Sequence, residues 1–396
     1  MTRPSLVFYC QHSLGLGHLA RAWTVADALS SHFRVTLWSG GPLPAGLTPP
    51  ASCEIIALPP VAVNEDGRLV SLDPACPVET ALDVRRDTML RGLTTERPAV
   101  VVIELFPFGR KKFERELLPL LEAAQSASPR PVVVCSLRDI LVGRGDRQME
   151  HDERARVLVD RYFDAVLVHA DPAFARLEEF FRPVQPMRTP VHYTGFVAGG
   201  PLPQGRSGRA GIVVSGGGGR FAGSLFMTAI EAHRRLTHAH VLTIVAGPLC
   251  DASTWQRLVT ASGGHPLIRL RQSVPDLSAE MAASRLSISQ CGYNTALDIV
   301  RARVPALVVP FAERGETEQT DRARRLAALG VLRMLSADRL NAATLAAAME
   351  EVLAFEPAQP ALDLNGAHRT THLLKALVEG ARPAGDRYVA VHERLA

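Results

Sequence analysis

The reading of this chain turns on Ile212, Val213, Val214 and Ser215, followed at once by Gly216, Gly217, Gly218 and Gly219. The apolar run fits a strand buried on both faces. Four glycines in succession cost chain entropy that a plain turn would not need. A helical pattern over 222–236 comes next. Strand, glycine loop and helix in that order aim backbone N–H groups and a positive helix end at one spot, an arrangement that cradles phosphate. No Gly-Lys-Ser/Thr follows, so this is not a Walker loop.

The alternation continues outward in both directions. Downstream, apolar strands are expected at 241–245, 267–270, 286–289 and 306–309, with helices at 275–283, 295–301 and 318–329. Upstream, strands are expected at 5–10, 35–38, 100–103, 132–135 and 165–169, with helices at 19–30 and 113–127. Between the two series, residues 199–209 are rich in Gly, Pro and Ser and lack an apolar period, as a linker would. The pattern predicts an α/β chain of two doubly wound parallel-sheet domains. Their expected bounds are 1–198 and 211–367, with the linker at 199–210. A helical tail over 368–396 is expected to return to the first domain.

Composition agrees with two packed cores. The chain has 396 residues, 47% apolar and 21% charged. No apolar run approaches the ~20 residues of a membrane-spanning helix. The N-terminus lacks the long apolar stretch of a signal peptide, and the six scattered cysteines show no zinc spacing and read as free thiols. A cytoplasmic address is the expectation. The net charge of +4 is too small to argue for nucleic acid. Residues 1–198 carry a net −1 and the remainder +5, which leans toward an anionic ligand in the second half.

Four strand-to-helix loops carry the chemistry. The first holds Gly15, Gly17 and His18; Ala20 stands where a dinucleotide fingerprint needs glycine. His18 sits where an imidazole can meet a substrate at the sheet's carboxyl edge, although a helix-start histidine bonded to local backbone is the plainer alternative. The second is the glycine run at 216–219. The third contains Gln290, Gly292, Asn294, Thr295 and Asp298. Asn294 and Thr295 can donate to phosphate oxygens, and Asp298, one turn on, can accept from ribose hydroxyls. The plainer reading there is an Asn or Thr cap with a solvated Asp. The fourth ends in Glu318 and Gln319, an acid and an amide able to hold sugar hydroxyls.

The third and fourth loops together, with Pro305 and Pro310, resemble the nucleotide-sugar signature of inverting GT-B glycosyltransferases. The first two loops resemble the glycine-rich loops of glycosyltransferase family 28, which contains the UDP-N-acetylglucosamine transferase of peptidoglycan synthesis. Segments 106–110 and 136–140 are similar to a further branch of predicted glycosyltransferases. The resemblance implies a GT-B fold, two Rossmann-like domains facing a cleft. It implies a nucleoside diphosphate sugar donor, UDP-linked, on the second domain. The diphosphate would meet Gly216 to Gly219 and Asn294 with Thr295, the ribose Asp298, the sugar Glu318 and Gln319, and the base the backbone near Val274. Two positions differ from the wider pattern: Gln290 stands where plant members carry His, and Asp298 where Glu is usual.

Departure of a diphosphate develops charge that helix ends and N–H donors stabilise, so neither metal nor cofactor is expected. The acceptor hydroxyl needs a base. His18 is the first choice. His12, Glu104 and Asp139 are alternates, with Gly15, Gly17 and Arg138 also on the acceptor side. His12 reads equally as a structural loop residue, and Asp139, beside Arg138, as an ion-paired one. The expected activity is inverting transfer of a hexose or N-acetylhexosamine to a hydroxyl of a lipid-linked, glycan or small-molecule acceptor. Aromatic and basic residues interleave over 106–113, which fits peripheral contact with the inner face of a membrane as well as a plain solvated loop. Two rivals share the donor site: a nucleotide-sugar-binding module without turnover, and a non-hydrolysing UDP-sugar epimerase.

Overall fold

A computed structural model describes residues 3–12, 15–43, 48–64, 66–200, 208–218, 222–312 and 317–380. Gly219, linker residues 201–207 and tail residues 381–396 lie outside the described residues.

The first domain is built on β1 (Ser5–Cys10), β2 (Arg34–Ser39), β3 (Glu54–Ala57), a small antiparallel pair of β4 (Val61–Val63) and β5 (Leu69–Ser71), then β6 (Val100–Glu104), β7 (Val132–Arg138), β8 (Ala165–His169) and β9 (Val191–Tyr193). Its seven-stranded sheet runs β3-β2-β1-β6-β7-β8-β9, parallel throughout. Helices α1 (Gly17–Leu29), α2 (Val78–Glu96), α3 (Glu114–Ser126) and α4 (Gln148–Tyr162) belong to it. Strands β1, β6 and β8 are buried along their whole length, as apolar strands covered on both faces must be.

The second domain repeats the plan. Strands β10 (Ile212–Ser215), β11 (Leu242–Val245), β12 (Ile268–Arg271), β13 (Leu286–Ser289), β14 (Ala306–Val308) and β15 (Arg333–Met334) form a parallel sheet in the order β12-β11-β10-β13-β14-β15. Helices α5 (Gly223–His233), α6 (Ala252–Ser262), α7 (Leu277–Ala283), α8 (Tyr293–Ala302), α9 (Glu318–Ala328) and α10 (Ala342–Leu353) belong to it. In each sheet the order reverses beside the first strand, between β1 and β6 and between β10 and β13. Doubly wound sheets bind ligands at the carboxyl ends of the strands at that reversal.

The chain then returns. Asn365 bridges Val197, and Gly366 packs so closely that a Cβ there would sit 2.3 Å from the Gly195 carbonyl oxygen. Helix α11 (Gly366–Val378) lies against α1, with Leu374 in the core of the first domain. The apolar core is also continuous across the domain boundary through Phe174, Phe196, Tyr293 and Leu326.

Candidate active site

The loop after β1 is fixed from below. Arg85, fully buried on α2, donates to Glu116 at 2.6 and 2.7 Å and to the Gln11 Oε1 at 2.7 Å. Tyr9 donates to the same Glu116 at 2.6 Å. Gln11 in turn donates to the carbonyls of His12 and Val61. The turn after β2 requires glycine: a Cβ on Gly41 would lie 2.1 Å from the His12 carbonyl oxygen. His12 is buried beneath this loop with Nε2 at 3.0 Å from the Ser39 hydroxyl, and burial pushes its imidazole down to about 4.

His18, the second residue of α1, meets Glu104, the last residue of β6. The two stand on opposite sides of the first sheet's reversal. Their Nδ1 to Oε1 distance is 2.6 Å. Arg21, one turn after His18, reaches the same carboxylate oxygen at 2.5 Å, and Arg110 lies 3.9 Å from the other. Burial alone would raise the Glu104 carboxyl, but His18, Arg21 and Arg110 together hold it well below the usual carboxylate range. An ionised Glu104 requires the Nδ1–H tautomer and leaves Nε2 with a free lone pair. Burial, with Arg110 and Arg138 adding and Glu104 opposing, pushes His18 down to about 4. At neutral pH the imidazole is therefore uncharged and able to accept a proton. Glu104, an alternate base in the sequence, is hydrogen-bonded to His18 through this contact.

The second reversal faces the first. Gly217 has φ +57°, a left-handed conformation that favours glycine, and a Cβ there would come within 3.2 Å of the Thr295 hydroxyl. A Cβ on Gly218 would lie 3.5 Å from the Gly15 Cα, so the glycine loops of the two domains nearly touch. Asn294 donates to the Gly17 carbonyl at 3.2 Å. Gly292 is the N-cap of α8. Ser215 and Ser289 end adjacent strands, and their hydroxyls and that of Ser287 are buried without a partner among the described residues. Buried hydroxyls of this kind call for a partner outside the chain, a water or a ligand.

Asp298 lies one turn into α8, 3.9 Å from Arg301. Burial raises its carboxyl to about 7, Arg301 opposing and Asp276 adding. Val274 is half-buried between β12 and α7, and Gln290 half-buried at the end of β13. Gln319 turns inward, its Oε1 accepting from the backbone N–H groups of Cys291 and Phe311 at 3.0 and 3.2 Å. It thus ties the third loop to the fourth.

Arg138 and Asp139 are committed across the domain boundary. Arg322 on α9 holds Asp139 through two bonds of 2.7 Å, and Glu318 through another of 2.7 Å. Arg138 pairs with the second Glu318 oxygen at 2.5 Å. Burial would raise the Glu318 carboxyl, but Arg138 and Arg322 lower it. Asp139 is ion-paired, as the plainer sequence reading had it, and its partner comes from the other domain.

Three residues absent from the sequence reading organise this centre. Tyr293 donates to the His169 carbonyl and accepts from the Val197 N–H, both at 2.9 Å. The guanidinium groups of Arg21 and Arg322 lie 5.2 and 5.8 Å from its ring centre. The helical spacings of Arg21 from His18 and of Arg322 from Glu318 are the signals the sequence carries for them.

Residues 212–373 match the model of the glycosyltransferase family 28 C-terminal domain. No curated protein matches the sequence. Among solved structures, MurG of Acinetobacter baumannii aligns with a TM-score of 0.58 at 13% identity, over 94% of this chain and 99% of that one. Phytolacca americana UGT2, complexed with UDP-2fluoro-glucose and pterostilbene, gives 0.57 at 16%, over 100% and 99%. UDP-GlcNAc 2-epimerase of Methanocaldococcus jannaschii gives 0.56 at 12%, over 94% and 99%. At such identities the likeness establishes the two-domain fold.

Proposed function

We propose that this chain, which has the GT-B fold and matches the family 28 C-terminal domain over residues 212–373, is a glycosyltransferase that carries out inverting, metal-independent transfer from a UDP-sugar to a hydroxyl acceptor. The observation that carries this reading is the apposition of the His18–Glu104 pair to the Gly216–Gly218 loop and the start of α8. The acceptor hydroxyl gives its proton to His18 Nε2 as its oxygen bonds to the anomeric carbon. The bond from that carbon to the diphosphate oxygen breaks, and the nucleoside diphosphate leaves with the electron pair. Glu104 stabilises the imidazolium that forms. Backbone N–H groups of the glycine loop, Thr295 and the N-terminus of α8 meet the charge on the leaving group. Attack opposite the leaving group inverts the anomeric centre.

Asp298 is assigned to the ribose, Val274 to the base, and Glu318 to the transferred hexose or N-acetylhexosamine. Glu318 would have to exchange an arginine partner for the sugar. Among the described residues no helix is long and apolar enough to cross a membrane. The six unpaired cysteines support a reducing, cytoplasmic setting.

Thermal denaturation against UDP-, TDP- and GDP-sugars tests the donor. A ligand at a hundred times its Kd adds about 2.7 kcal/mol and raises Tm. A rise with UDP-sugars is expected; no rise with any nucleotide on folded protein overturns the reading. Sugar conversion with no acceptor present would point to an epimerase instead.

A further inference from the structure

A cavity of about 620 Å³ lies within the first domain, joined to the His18–Glu104 pair through Arg110. Its basic lining is Arg110, Lys111, Lys112, Arg144, Arg147 and Arg154, against only Glu114 and Glu150 as acids. Glu114 is already paired with Arg154. Lys111 and Arg147 are exposed side chains, so positive charge on this wall is accessible to solvent. Arg110 links this cavity to the reaction centre. It lines the cavity, lies 3.9 Å from the Glu104 carboxylate and donates to the Gln11 carbonyl at 2.6 Å. Its backbone is held in the left-handed region at φ +59°, strain that persists only where the surroundings fix it. Its buried Nε–H has no partner among the described residues.

Guanidinium and ammonium groups converging in this way suit the oxygens of a phosphate group, which takes several charge-assisted bonds at once. The donor's own diphosphate is assigned to the other domain, so this charge is not needed for it. We propose that the cavity binds a phosphate group carried by the acceptor, placing the nucleophilic hydroxyl beside His18. The role in transfer rests on the reading above; the phosphate site itself does not.

The test uses the full chain and two phosphate-monoester probes, glycerol 3-phosphate by calorimetry and phosphatidic acid vesicles by sedimentation against phosphatidylcholine vesicles. The variants are Lys111→Glu with Arg147→Glu, two exposed positions, and Thr295→Val at the glycine loop. At least one probe should bind wild type, bind the double charge reversal at least tenfold more weakly, and bind Thr295→Val unchanged. Which probe does so tells a soluble acceptor from a lipid-borne one. No binding of either probe, equal binding by the double reversal, or loss of binding in Thr295→Val would each overturn the site. The nucleotide-induced Tm rise, measured on the same proteins, should persist in the double reversal. Its absence from wild type would sink the transferase reading and leave the phosphate site standing.

Discussion

The role of base proposed for His18 depends on what surrounds it. Burial keeps the ring uncharged, and Glu104 fixes which nitrogen is bare. His18→Ala should therefore lose about 10²–10⁴ in transfer rate while keeping the donor-induced Tm rise. Near-full activity in a turnover assay would remove His18 from the mechanism. Asp298 poses the opposite electrostatic problem. Burial raises its carboxyl to about 7, so the charged form is present above that pH and lost below it. A carboxylate accepts from ribose hydroxyls better than a carboxylic acid does. Donor affinity should rise about tenfold between roughly pH 6 and pH 8. Asp298→Asn should flatten that profile in a titration, and a slope that survives the substitution would assign it to another group.

At the scale of the element, the strand–loop–helix junctions do most of the work. Gly217→Val would force a β-branched residue to φ +57° against the Thr295 hydroxyl. The strain is about 1–3 kcal/mol, and the nucleotide-induced Tm rise should shrink while the fold persists. These junctions were legible in the sequence because their signal is local. Continuous apolar runs set β1, β8 and β13 at the bounds expected from them. Helices α2 and α4 were not delimited, since charged residues dominate both and α2 spends a core position on Arg85. The hairpin of β4 and β5 and the two-residue β15 are too short to show a period. Within the site, the glycine loops and His18 could be read directly. The partnerships of Arg322 with Asp139 and of Tyr293 with His169 could not, because each joins residues more than a hundred positions apart through docking of the domains. For Gln319, given to the sugar by the resemblance, the sequence could not show that its side-chain oxygen accepts from two backbone N–H groups of neighbouring loops.

For the whole molecule, the contact between domains is polar as well as apolar. Arg322→Met would strip the buried Asp139 of its two strong bonds and Glu318 of one. Removing one member of such a network costs about 3–5 kcal/mol, so a marked fall in Tm is expected by calorimetry. An unchanged Tm would mean the two domains hold together without it. The chain also crosses between the domains twice, outward after Val197 and back before Asn365, and those two residues are bridged to each other. The second domain is thus an insertion hung from a double-stranded strap, both ends of which are anchored in the first. Any opening of the cleft by rotation about that strap would separate Gly218 from Gly15 and would also have to part the Arg322–Asp139 and Arg138–Glu318 pairs, while leaving Val197 and Asn365 in register.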